Sequence, residues 1–76
     1  SFEKYLETTA IKPAENITDG ELAINSILEA LKTLLTKERA ILTIASEAND
    51  EGTVALMSDY IVEQEKLVWM LSAYQD

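Results

Sequence analysis

Fourteen carboxylates and not one His or Cys set the chemistry open to this 76-residue chain. A nucleophilic mechanism needs a base beside a Ser or Cys, and that base is missing. The usual tetrahedral zinc sets, built from Cys and His, are excluded for the same reason. What remains is oxygen chemistry: carboxylates that attract cations, cap helices or accept hydrogen bonds. Glu38 interrupts one apolar stripe between Leu35 and Leu42, and Gln64 interrupts another. The two are about equally far from a turn near Asp50, so they face each other. One reading makes Glu38 a buried carboxylate that helps to hold metal. The other makes it structural, satisfied by a hydrogen bond from Gln64 or a pair with Arg39, because a lone buried polar group is costly. A single carboxylate without a second beside it makes a poor iron or zinc site.

Other known chemistries do not fit. The stretch NDEGTVALMSDY lacks the alternating acids and sixth-position Gly of an EF-hand loop. No Gly-rich phosphate loop is present. Ser58 in LMSDY lacks the Asp-Ser-Leu setting of a carrier-protein attachment site. On its own, the chain does not read as an enzyme.

The net charge of −8, with six basic residues, argues against binding a phosphate backbone and suits the attraction of cations. No run approaches the roughly 18 to 20 apolar residues that cross a bilayer, and no basic-plus-apolar leader is seen, so neither membrane nor secretion is expected. Absence of Cys fits a reducing cytoplasm. The first residue is Ser1 rather than Met, so a processed start or a piece of a longer protein is expected.

The elements that must position these side chains are helical. Residues 1–10 are expected to form a short helix, capped by Ser1, with Phe2, Tyr5 and Leu6 on one side. Residues 11–18 are expected to form a connector around Pro13, which disfavours helix at Lys12. A long helix is expected over 19–48, opened by a capping box in TDGE, where Thr18 bonds forward and Glu21 reaches back. Its stripe reads Ile24, Ile27, Leu28, Leu31, Leu34, Leu35, Ile41, Leu42 and Ala45. After ANDEGT, with Asp50 as N-cap, a second long helix is expected over 50–75. One face carries Val54, Met57, Tyr60, Ile61, Leu67, Val68 and Leu71. Ala55, Val62 and Trp69 recur at seven-residue spacing on another side, with Met70 and Ala73 near them. A helix that is apolar on two faces is usually covered on both, so Val62, Trp69 and Met70 are expected to make an oligomer contact. The fold class is all-α: a short helix plus a long antiparallel helical hairpin. Two helices bury one stripe each, too little to stand alone, so the other half of a bundle must come from outside the chain.

Residues 44–74, IASEANDEGTVALMSDYIVEQEKLVWMLSAY, resemble the C-terminal helix pair of the Dps mini-ferritins. Asp50 and Thr53 match the helix-start pattern Asp-x-x-Thr, and EKLVWMLSAY matches that family's Glu-Lys-x-x-Trp-Met-Leu-x-Ala-Phe ending. FEKYLETTAIK resembles the short helix and connector between that family's second and third bundle helices. The resemblance implies half of a ferritin-like four-helix bundle, assembled as a homo-oligomer, a hollow dodecameric shell. It implies iron storage, with Fe(II) oxidised by hydrogen peroxide. The family's ferroxidase ligands, two His, an Asp and a Glu, come from helices that have no counterpart here. The Glu-x-x-His pairs of di-iron bundles are also missing. The chain is therefore expected to be the C-terminal half of a longer protein, with the ligands outside it. By the same resemblance, Asp50 and Asp59 take positions of an acidic pore that admits iron, although Asp59 points about half a turn from Asp50 on an ideal helix. Ala55 stands where the family often has a further Asp. DNA binding in that family usually rests on basic tails, and this chain has none. The alternative reading is a non-catalytic hairpin that self-associates into a four-helix bundle as a structural or regulatory module.

Overall fold

The computed structural model describes residues 18–75; the short helix expected over 1–10 and most of the connector lie outside the described residues. Two helices make up the described chain: α1, Asp19–Glu47, and α2, Glu51–Ala73. They pack side by side as an antiparallel, all-α hairpin. No described helix is long and apolar enough to cross a membrane.

Local chemistry accounts for each boundary. The Thr18–Glu21 capping box is formed: the Glu21 N–H donates to Thr18 Oγ1 at 3.1 Å, and the Thr18 N–H donates to Glu21 Oε1 at 3.3 Å. Two of the orphan donors at the helix start are thereby satisfied. At the other end, Asn49 takes φ 58°, the left-handed region. Its N–H donates to Ser46 O at 3.1 Å, and the Asp50 N–H reaches back to Ala45 O at 2.8 Å. This is the Schellman pattern, which ends a helix and reverses the chain with few residues. Asn serves there because its short polar side chain tolerates the left-handed conformation better than most. Asp50 then caps α2.

The seam between the helices buries Leu28, Leu31, Leu35 and Ala45 of α1 against Met57, Ile61 and Val68 of α2. Ile24, Leu42 and Leu71 are packed against its edges. Three side-chain bonds fix the register. Gln75 Nε2 donates to Asn25 Oδ1, Gln64 Nε2 donates to Glu38 Oε2 at 2.8 Å, and Arg39 bridges to Glu65 Oε2 at 2.8 Å.

The structure corrects the expected stripes. Ile27, Leu34 and Ile41, placed in the seam by their spacing, are instead 44–46% exposed; Tyr60 at 43% and Leu67 at 39% are exposed too. At about 100° per residue, the three α1 residues sit roughly a quarter turn to one side of the seam. Arg39 and Lys32 sit to the other side. Because the helices are antiparallel, Tyr60 and Leu67 fall on the same flank as Ile27, Leu34 and Ile41. The hairpin thus has one apolar flank and one polar flank, marked by the Arg39–Glu65 bridge.

Candidate functional site

Asp50 is the best-defined of the expected site residues. The Thr53 N–H donates to its Oδ1 at 3.2 Å and the Thr53 hydroxyl to its Oδ2 at 2.6 Å. The Asp-x-x-Thr pattern therefore has a direct physical meaning: one Thr supplies two donors to one capping carboxylate. Those bonds, the hydroxyl's first and the backbone's second, hold the Asp50 pKa below the usual carboxylate value. The charge is fixed at the start of α2, where the helix dipole favours it.

Asp50 also lines a concavity of about 280 Å³ at the hairpin turn, with Ser46, Asn49, Glu51, Val54 and Ala55. Two carboxylates, Asp50 and Glu51, stand beside each other there. Asp59 is exposed on α2 and is not among the residues lining this concavity. Nine residues on, it points about half a turn away. Among the described residues, no three His, Cys, Asp or Glu side chains cluster closely enough to hold a metal ion.

Glu38 and Gln64, left open between two readings, are joined by the hydrogen bond given above. Arg39 does not take Glu38; it turns to Glu65 on the polar flank. Glu38 is 8% exposed, and one of its oxygens, Oε1, is buried without a donor, as is Gln64 Oε1.

Val62, Trp69 and Met70 are all exposed on α2. Val62 and Trp69 share one side at their seven-residue spacing. Met70 is about 100° further round than Trp69, so the three do not form one patch. Sequence reasoning missed the larger apolar surface, the flank of Ile27, Leu34, Ile41, Tyr60 and Leu67. Its signal was present as two runs of seven-residue spacing, 27/34/41 and 60/67, but both were merged with the seam.

Comparison with known proteins is decisive for the family. A family model for the ferritin-like domain matches residues 2–76. An uncharacterized protein of Haemophilus influenzae is 47% identical over 73 residues, which cover 96% of this chain and 46% of that protein. The DNA protection during starvation protein of Porphyromonas gingivalis is 41% identical over 73 residues, with the same coverage of 96% and 46%. The chain thus spans about half the length of the curated relatives it matches. No solved structure matches it. Over nearly its whole length, the chain belongs to the ferritin-like domain family, in its Dps-type branch.

Proposed function

We propose that this hairpin is one half of a ferritin-like bundle in an iron-storing, iron-detoxifying shell. Fe(II) is the substrate, hydrogen peroxide the oxidant, and the ferroxidase ligands are carried by helices outside this chain. The observation that carries the reading is the ferritin-like match over residues 2–76, joined to a hairpin whose apolar flank is exposed among the described residues. In this reading Asp50 contributes to an acidic, iron-admitting pore, where copies meeting around an axis concentrate negative potential and raise the local cation concentration. Its fixed charge at the helix start supports that role; Asp59 contributes from another face. Val62, Trp69 and Met70 contact neighbouring subunits of the homo-oligomer. The location is the cytoplasm.

The test is iron loading of the chain, alone and assembled with a ligand-bearing helical pair. Fe(II) is added anaerobically, followed by peroxide or oxygen, and ferric mineral is read by its absorbance. The reading expects mineral only in the assembled form, formed faster with peroxide, and slower uptake in Asp50→Asn. Assembly without any iron uptake would point instead to the non-catalytic structural module.

A further inference from the structure

The Glu38–Gln64 pair in the middle of the hairpin is short of one hydrogen. Gln64 Nε2 donates to Glu38 Oε2 at 2.8 Å, yet the other oxygen of each group, Glu38 Oε1 and Gln64 Oε1, is buried without a donor. Orphaned buried acceptors are uncommon, because each one costs the desolvation of a polar atom. Two of them on two groups already bonded to each other call for one common explanation. The surrounding charges give no counterion. On α1, Arg39 is bonded to Glu65 on the polar flank, Lys32 lies to that same side, and Lys37 is exposed. On α2, Lys66 pairs with Glu63 in solvent, and Tyr60 is exposed on the apolar flank. Among the described residues, no cation pairs with Glu38. An ionised Glu38 would thus be a buried charge with one hydrogen bond, a state that proteins avoid by neutralising the group.

We propose that Glu38 is held as a neutral carboxylic acid whose proton bonds to Gln64 Oε1, and that this proton latches the two helices together. A protonated carboxyl carries one O–H donor beside its remaining acceptor, and a primary amide offers the complementary N–H and C=O. The two groups can therefore join through a pair of parallel bonds. The N–H bond of that pair is in place, and one proton on Glu38 Oε1 supplies the donor that both orphans lack. With it, α1 and α2 are clasped by two bonds. Without it, a carboxylate oxygen and an amide oxygen stay unpaired, and the low dielectric of the interior raises their cost. The latch is sensitive to base: removing the proton loosens the middle of the hairpin, while the Arg39–Glu65 bridge and the Gln75–Asn25 bond persist. A buried water donating to both oxygens is the competing occupant, and it would leave Glu38 ionised. The inference takes only the assembled fold from the reading above, and no iron enters its test.

The test uses the chain assembled with a ligand-bearing helical pair and labelled with ¹³C at its Glu side-chain carboxyls. At neutral pH one carboxyl, assigned by its loss in Glu38→Gln, should show the NMR resonance and infrared C=O stretch of a neutral acid. The remaining labelled carboxyls should be ionised, as ordinary Glu side chains are. Glu38→Gln places an N–H where the acid has its O–H, so it should keep the fold and the clasp. It should also lose the sensitivity to base. On moving from neutral to moderately alkaline pH, exchange of the Gln64 side-chain amide should rise about 3- to 10-fold more in the parent than in Glu38→Gln, the effect of one lost hydrogen bond. A Glu38 carboxyl that is ionised at neutral pH with the others overturns the proposal and favours the water. A neutral Glu38 with equal amide exchange in parent and variant overturns the latch. A neutral acid in an assembly that takes up no iron leaves this inference standing and removes the iron-storage reading.

Discussion

Asp50 shows how much one side chain can do at the hairpin turn. Its carboxylate accepts both Thr53 donors, and these bonds hold its folded pKa below the ordinary value. A depressed folded pKa means a contribution to stability that is fully present above the unfolded carboxylate pKa, about 3.9. The contribution is lost as pH falls through the folded value. Thermal melts between neutral pH and pH 3 should therefore show a declining midpoint to which Asp50 contributes. Asp50→Asn keeps an N-cap acceptor and removes that contribution, so its melting temperature should depend less on acid. Asp50→Ala should lose both cap and pH dependence; an Ala variant that melts with the parent at neutral pH would refute the capping role. Ser72 is the opposite case. It is 2% exposed, and its hydroxyl is buried without a hydrogen-bond partner. Ser72→Ala removes an orphan polar group and improves helix propensity, so urea unfolding should show a gain of about 1 kcal/mol. A loss of stability would mean that the hydroxyl has a partner after all.

At the scale of elements, helix starts were legible and the use of helix faces was not. Thr18 with Glu21, and Asp50 with Thr53, announce helix starts because capping is local: donor and acceptor lie within three residues of each other. The reversal at Asn49 is also local, but it depends on a backbone angle that the composition of ANDEGT leaves open. With φ at 58°, the position demands a residue that tolerates the left-handed region. Asn49→Gly should be neutral or slightly stabilising, while Asn49→Ala should cost about 1 kcal/mol by denaturant unfolding; equal stability of the two would contradict the conformation. Face assignment failed for a physical reason. Periodicity gives the width of an apolar arc, but not which edge of it meets the neighbouring helix. Leu28, Leu31 and Leu35 went inside, while Ile27 and Leu34, one residue away, were left facing solvent. An arc broad enough for two contacts looks like one broad stripe. The Glu38–Gln64 bond could be anticipated because both residues break such stripes at matching distances from the turn.

At the scale of the molecule, the hairpin's thickness limits what it can stabilise alone. The described residues form two helices side by side and nothing thicker, each helix roughly 10 Å across. Among the described residues there is a seam but no enclosed interior, and five large apolar residues remain exposed on one flank. The chain also spans only 46% of the relatives it matches, in a family whose fold is a bundle. Folding and association should therefore be coupled. For a chain whose folded form is stabilised by another helical pair, the melting temperature rises with the concentration of that partner by mass action. At micromolar concentration the isolated chain should melt broadly, with little heat. Adding the partner should sharpen the transition and raise its midpoint. Leu34→Asp should erase that rise while hardly changing the melt of the isolated chain, because the flank it spoils is already in water. Leu28→Ala, in the seam itself, should instead leave the isolated chain without a transition and lower the stability of the complex by about 2–5 kcal/mol. Calorimetry over a range of concentrations separates the two effects. A sharp, concentration-independent transition in the isolated monomer would show that a two-helix seam is enough, and that the apolar flank has no structural partner to find.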